Sequence, residues 1–477
     1  MASTKQSPPQ RTITVALDMS KAFDTVNLHL LIQKLHNTTI PGTITKYIAN
    51  YIKGRKQYTT FNGHTSKLRN IKTGVPQGGV LSPTLFNIYT ADIPQPPPGT
   101  KLVTYADDIT IMSSHRHPQT AQNQVQPYLD QIHDWTTNNQ LTLNPNKTMT
   151  TLFTPDPAEY SLTLDLKIDN TTLPTVRNPK ILGLTFDPKL TYGQHIQTCT
   201  QNAKQSLKVI KALTTTTWGK SKETLLCTYK TITRPQLEYA STVWSPITSQ
   251  TQTSKLQTIQ NTALRTITGC TRDTNTQHLH EETKTLPVDT HLKLHASQYR
   301  QKTQDPNHPL HHLTNLPRNP RNKKQTIFQN DNYTTNLDTD PQLTTEHTIK
   351  QNMKTIHTRI TEQHLLNRLP NKVLADHAPT INTSEESLTK HKRRTLAQLR
   401  TNKSPFLQSY LHKIDPQTNP SPHCPLCLAA AHDTAHLFNC PRVNTTLTPS
   451  DLWRNPVEVA SLLDRWAELL GRPLRAP

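Results

Sequence analysis

Three carboxylates carry the first hint of chemistry in this 477-residue chain. Asp18 closes the β-branched, apolar run 12–17 (TITVAL), which reads as a buried strand. Asp107 and Asp108 lie in a short turn, Tyr105-Ala106-Asp107-Asp108, between the apolar strands expected at 101–105 and 109–112. Consecutive acids on a turn repel each other and cost stability unless a cation compensates. Carboxylates that end neighbouring strands can hold two divalent cations about 4 Å apart, which clamps the attacking and leaving oxygens of an in-line displacement at phosphorus. Magnesium suits that task, since it takes few carboxylates and keeps waters and phosphate oxygens as ligands. Taken by itself, an Asp-Asp pair is more often an ordinary solvated turn.

A second cluster sits near the C-terminus. Cys424, Cys427, His436 and Cys440 follow the pattern C-x2-C-x8-H-x3-C, a donor set and spacing suited to tetrahedral structural Zn2+. His423 and His432 are alternative ligands, and a chance grouping of thiols is the competing interpretation. The other cysteines, Cys199, Cys227 and Cys270, are scattered, which argues against a disulfide scaffold and for a reducing, intracellular setting. Upstream, Lys390, Lys392, Arg393, Arg394, Arg400 and Lys403 form a basic stretch able to hold phosphates; a solvated helix face or a weak nuclear signal is the alternative.

The elements that must position these groups are legible in outline. Asn27 caps a helix with Leu28, Leu31, Ile32 and Leu35 on one face. A second helix places Ile44, Tyr47, Ile48, Tyr51 and Ile52 at helical spacing and stops at Gly54. A hairpin is expected through Asn62-Gly63, and Ser82-Pro83 reads as N-cap and first-turn proline of a helix with Leu85, Phe86 and Tyr89 inward. Val125, Leu129, Ile132 and Trp135 mark another helix, and further strands are expected around 150–154 and 180–186. This alternation predicts an α+β domain to about residue 195. Beyond it the pattern is helical, with an apolar stripe at Leu256, Ile259, Ala263, Leu264 and Ile267. Residues 301–350 are polar, with a basic knot at Arg318, Arg321, Lys323 and Lys324, and read as a linker. A basic helical stretch at 384–412 and a final amphipathic helix at 457–470 complete the chain.

Composition narrows the partners. Lys and Arg number 53 against 33 acidic residues, a formal charge of +20, which attracts polyanions: nucleic acid first, anionic membrane second. Hydrophobic residues are 32% and prolines 37, so a single core using the whole chain is not expected. No run approaches the ~18 apolar residues of a membrane span, and the start has no apolar segment of a secretory signal.

Three ordered motifs then carry a family resemblance. Asp18-Met-Ser-Lys-Ala-Phe-Asp-Thr-Val26, Gly74-Val-Pro-Gln-Gly-Gly-Val-Leu-Ser-Pro83 and Tyr105-Ala-Asp-Asp108 resemble motifs A, B and C of reverse transcriptases. The wording SKAFD-x-V and LFNIYTADI (85–93) is similar to the non-LTR, LINE-type, jockey-like retrotransposon branch rather than to group II introns. The likeness continues at 135–148, Lys180 to Asp187, Tyr239 to Trp244, Leu256 to Gly269, Arg393 to Arg400 and the cysteine cluster.

The resemblance implies an RNA-directed DNA polymerase acting on an RNA template, a DNA primer or target and dNTPs, with two Mg2+ ions. It implies Asp18, Asp107 and the Met19 carbonyl as metal ligands, with Asp108 as the third carboxylate. It makes Phe23 the steric gate against a 2′-hydroxyl, Gln77, Gly78, Gly79 and Tyr105 the nucleotide pocket, and Lys147 the proton donor to pyrophosphate. Lys392, Arg393, Arg394 and Arg400 would contact nucleic acid, and the C-terminal cysteines would form a CCHC knuckle. The implied architecture is a right-hand polymerase palm (split βαβ, ferredoxin-like) at 1–195, a helical thumb or connection at 196–300, a partly ordered polar linker at 301–380 and a basic zinc-knuckle region at 381–477. Only 17 residues precede Asp18, so fingers are expected to be largely absent, as are an endonuclease and an RNase H, as in an N-terminally truncated copy. Nuclear action is expected from the family's integration route. A catalytically silent nucleic-acid-binding remnant is the alternative reading.

Overall fold

A computed structural model describes residues 9–214, 219–314, 326–328 and 349–471. The basic knot at Arg318, Arg321, Lys323 and Lys324 lies outside the described residues, as does much of the expected linker. The chain divides into two compact units, Met1–His195 and Ile196–Pro477, each described by itself.

The first unit is a four-stranded sheet with helices. In chain order it contains β1 (Arg11–Leu17), α1 (Leu28–His36), α2 (Gly42–Ile52), α3 (Ser82–Tyr89), β2 (Thr100–Tyr105), β3 (Asp108–His115), α4 (Pro118–Asn138) and β4 (Met149–Phe153). The strand order is β2-β3-β1-β4, and every neighbouring pair is antiparallel. Strand β3 therefore lies between β1 and β2, as a split β-α-β arrangement requires. Thr12, Ile13, Thr14 and Val15 are all buried, so β1 is covered on both faces. That is why its sequence reads as a continuous β-branched run rather than an alternation. Leu31, Leu35, Leu85, Phe86, Val125, Leu129 and Ile132 fill the core around it.

Local signals act largely as expected. The Asn27 side chain accepts from the backbone N–H groups of His29 and Leu30, capping α1. In α2 the apolar stripe is wider than its contact: Ile48 and Ile52 are buried, whereas Ile44 and Tyr47 are 48% and 66% exposed. Ser82 is not an N-cap. It lies inside α3, after Leu81, and its hydroxyl donates to the Pro76 carbonyl. The segment around 180–186 is a tight hairpin, Lys180–Ile181 against Leu184–Thr185, turning through left-handed Leu182 and Gly183.

The second unit is helical among its described residues. Its main elements here are α5 (Arg234–Glu238), α6 (Gln250–Thr268), α7 (Thr276–Thr283), α8 (Val288–Thr303), α9 (Lys390–Leu399) and α10 (Pro456–Leu469). A capping box of Ser249 and Gln252 starts α6, and Gly269, with φ of 72°, ends it. Leu256, Ile259, Ala263, Leu264 and Ile267 are buried as their spacing predicts. The basic stretch at 384–412 is broken: α9 is followed, after an irregular turn, by a short helix at Gln408–Ile414. A terminal core joins Leu396, Leu399, Cys424, Leu437, Cys440, Trp453 and Trp466.

Candidate active site and candidate metal centre

The sheet brings the three carboxylates to one edge. The register pairs Leu17 of β1 with Ile109 of β3, so one step further along the antiparallel ladder Asp18 stands beside Asp108. Strands so paired lie about 4.8 Å apart. Tyr105 pairs with Asp108 across the turn, and Ala106 takes a left-handed φ of 52° to close it. The electrostatics agree with the register: burial first, then the charges of Asp107 and Asp18, raise the Asp108 carboxyl above its ordinary value.

The backbone around Asp18 is held from the loop before β4. The Asp18 N–H donates to Thr148 Oγ1 at 3.2 Å. Asn144 N–H donates to the Asp18 carbonyl, and Ser20 N–H to the Thr142 carbonyl, both at 2.8 Å. Met19 and Leu143 thus form the non-bonded pair of an antiparallel bridge, which leaves the Met19 carbonyl unused by that pair. Lys147, exposed, sits on the same loop, its N–H donating to Asn144 O at 3.2 Å.

The glycine-rich loop packs directly on the segment after Asp18. Gly74 N–H donates to Val26 O at 2.7 Å and Val75 N–H to Phe23 O at 2.8 Å. Gly74 has φ of 83°, and a Cβ there would come within 2.7 Å of Asp24 backbone atoms, so only glycine fits. Gly78, also left-handed at 80°, faces open space. Gly79 is different: a side chain there would meet Tyr51 Oη and Ser82 Oγ at 2.9 Å, so its role is close packing. Gln77 Nε2 donates to Asp24 Oδ1 at 2.9 Å. No role was anticipated for Asp24; its signal was the second acid in the run beginning at Asp18. Phe23 is half-buried and stacked on Phe86, with centroids 4.7 Å apart and planes 20° off parallel. Tyr105, at the end of β2, is 67% exposed.

The basic stretch needs correcting. Arg400 has no exposed surface. Its Nη1 donates to both Glu282 oxygens at 2.9 and 3.0 Å, its Nη2 pairs with Glu385, and Lys222 Nζ reaches Glu282 at 2.7 Å. Arg393, also buried, is paired with Glu223. Lys392 pairs with Asp464 at 2.6 Å, and Arg394 Nε donates to Gly269 O at 3.2 Å. Arg393 and Arg400 hold α9 in place rather than offering charge to phosphates, because Leu396, Ala397 and Leu399 draw the helix into the core, whereas Lys392 and Arg394 stay partly exposed. The basic surface that does open is a cavity of about 860 Å3 lined in part by Arg265, Arg272, Lys390, His391 and Arg394.

The Arg393 hydrogen bond is the main cause that lowers the Glu223 carboxyl from 4.5 to about 2. A depressed carboxyl stabilises the fold fully above its unfolded value and loses that contribution as pH falls through the folded value. The stability of this unit is therefore expected to fall between about pH 4.5 and 2. Tryptophan fluorescence against pH checks this, with Glu223→Gln showing a smaller change across that window.

Cys424 Sγ, Cys427 Sγ, a ring nitrogen of His436 and Cys440 Sγ all lie within 4.8 Å of one another. Cys424 and Cys440 sulfurs are 4.0 Å apart, and Cys427 Sγ is 3.3 Å from His436 Nε2. Zinc–sulfur bonds of ~2.3 Å imply tetrahedral edges of ~3.8 Å, so the donor set fits zinc in both type and size. The alternatives separate: His423 is exposed and meets Ser421, while His432 Nδ1 accepts from Gln408 N–H at 3.0 Å. The centre is built into the terminal core, for Trp466 Nε1 donates to Leu437 O at 3.1 Å beside His436. Cys424→Ser is expected to cost one equivalent of zinc by metal analysis and to loosen this core, read as a shift in Trp466 fluorescence. Full zinc retention by that variant would contradict the assignment.

Three carboxylates at adjoining strand ends are an arrangement that could hold divalent cations. Residues 1–186 match the family Reverse transcriptase (RNA-dependent DNA polymerase). A protein of Drosophila melanogaster described as "Probable RNA-directed DNA polymerase from transposon BS" is 28% identical over 295 residues, covering 60% of this chain and 32% of that protein. The RNA-directed DNA polymerase from mobile element jockey of Drosophila funebris is 28% identical over 293 residues, covering 60% and 31%. The chain thus spans about a third of the length of these curated relatives. A solved telomerase from Candida albicans aligns over 61% of this chain and 48% of its own at 13% identity and a TM-score of 0.27, a likeness too slight to carry weight.

Proposed function

We propose that this chain is an RNA-directed DNA polymerase of a non-LTR retrotransposon, extending a DNA primer with dNTPs on an RNA template. The observation that carries it is the convergence of Asp18, Asp107 and Asp108 at paired strand ends, where burial first and then the charges of Asp107 and Asp18 raise the Asp108 carboxyl. The first unit is the palm of a right-hand polymerase, and the helices that follow serve as thumb or connection. Asp18, Asp107 and the Met19 carbonyl would hold two Mg2+ ions, with Asp108 adding charge. When bound, such ions activate the primer hydroxyl and neutralise the leaving pyrophosphate.

The chain's own residues do the remaining work. The loop at 142–148 fixes the Asp18 backbone, and Lys147 on that loop would give a proton to pyrophosphate. The open face of Gly78 lets a nucleotide approach the backbone closely. Phe23, fixed against Phe86, stands under the incoming sugar. Phe23→Val is expected to narrow the preference for dNTP over NTP by at least about tenfold, the scale at which a pocket distinguishes single small groups. Competitive incorporation assays check this; unchanged discrimination would remove the gate assignment.

A contact surface for template or primer lies between α2 and α3. Lys53, Lys56, Lys67, Arg69 and Lys72 are exposed there together with Tyr58 and Phe61. Basic groups that follow a backbone, interleaved with rings for bases, are what single strands require. Primer extension by the full chain tests the proposal: Mg2+-dependent products on RNA support it, and a folded chain without products opposes it.

A further inference from the structure

Away from both sites, another group of metal-type ligands stands together in the helical unit. Glu238 ends α5, and His291 and His295 lie one turn apart on α8; one carboxylate oxygen and two ring nitrogens fall within 4.8 Å of one another. Glu238 is only 9% exposed. Its Oε1 lies 2.9 Å from His291 Nδ1, yet neither atom has a hydrogen-bond partner among the described residues. The ring nitrogen is near the oxygen but not directed at it. Buried polar atoms left in this state are costly to the fold. A cation between them satisfies both at once.

Other features agree. Histidines at i and i+4 present both rings to one point beside a helix. The α5 helix follows a π-helical turn, Tyr229–Thr233, an irregularity common where helices bear functional groups. Arg234 Nε stands 3.9 Å from Glu238 Oε2, which leaves Oε1 as the ligand oxygen. A cavity of about 290 Å3, lined by Glu238, His295, Ser241, Gln298 and Tyr299, adjoins the group and gives water access to a fourth position. Two imidazoles and one carboxylate are a donor set for zinc with an open position.

We infer that Glu238, His291 and His295 form a second zinc-class metal site, joining α5 to α8 and open on one side to the cavity. Metal analysis of the full chain, loaded with zinc and dialysed against Mg2+-containing buffer, tests it. Wild type is expected to retain one equivalent more than either His291→Gln or Glu238→Gln, while Cys424→Ser loses a different equivalent and the losses add. Cobalt substitution separates the two centres by colour. A chain with Cys424→Ser and Cys427→Ser should lose thiolate charge-transfer bands but keep a d–d spectrum that disappears when Glu238→Gln is added. Zinc content unchanged by Glu238→Gln, or no cobalt spectrum in the cysteine variant, would overturn the inference. Circular dichroism of each variant shows that the fold persists, and Glu238→Gln keeps the side chain's shape if the histidine change does not fold.

Discussion

Asp107→Asn is expected to reduce DNA synthesis on an RNA template by about a thousandfold or more. Metal-held charge supplies several kcal/mol of transition-state stabilisation, and each ~1.4 kcal/mol is a factor of ten. The same change has a consequence without substrate. The folded state holds the Asp108 proton more tightly than the unfolded chain, so ionising it costs stability as pH rises above the ordinary value of 3.8. At neutral pH a divalent cation bound by these carboxylates would offset this cost. Mg2+ should therefore raise the Tm of wild type and raise it less in Asp107→Asn. Equal shifts in the two proteins would show that the ion binds elsewhere.

Arg400→Met is expected to destabilise the helical unit by about 3–5 kcal/mol, the cost of breaking a buried ion cluster from one side. The substitution takes the nearest cation from Glu385 and leaves Glu282 with Lys222 as its close cation; these side chains are 3% and 1% exposed. Burial alone would raise the Glu282 carboxyl, but Arg400 and Lys222 outweigh it and hold the group below its ordinary value. Adding Glu282→Gln and Glu385→Gln to Arg400→Met should recover part of the loss, because neutral amides need less compensation than buried carboxylates. Urea denaturation followed by tryptophan fluorescence measures both. A loss below about 1 kcal/mol for Arg400→Met would place this arginine among ordinary surface pairs.

Arg400 also shows where sequence reasoning stops. Its partner Glu282 is 118 residues away, so nothing local distinguishes it from a phosphate-binding arginine. Lysines and arginines at helical spacing advertise charge, whereas the leucines among them decided which way α9 faced. The same limit hid Glu238, His291 and His295, which only the helix packing brings together, and the Gln77–Asp24 hydrogen bond that ties the glycine loop to the segment after Asp18. Ile44 and Tyr47 looked like core and are exposed, since periodicity specifies a face but not how much of it meets a neighbour.

What was legible had local causes. The β-branched run of β1 could satisfy its burial only as a central strand, and it necessarily ended on Asp18. The Asp107-Asp108 turn joins β2 and β3, consecutive strands that pair directly across it. Cys424, Cys427, His436 and Cys440 declared their centre by donor type and spacing, and folding had only to select His436 over His423 and His432.

The carboxylate triad is tested most directly by single-nucleotide incorporation. A DNA primer annealed to RNA templates that differ only in the next base is given one dNTP at a time with Mg2+. Addition of the complementary nucleotide alone, lost in Asp107→Asn, is the expected result. No addition by the folded wild-type chain, or addition that ignores the template base, would contradict a working polymerase site at Asp18, Asp107 and Asp108.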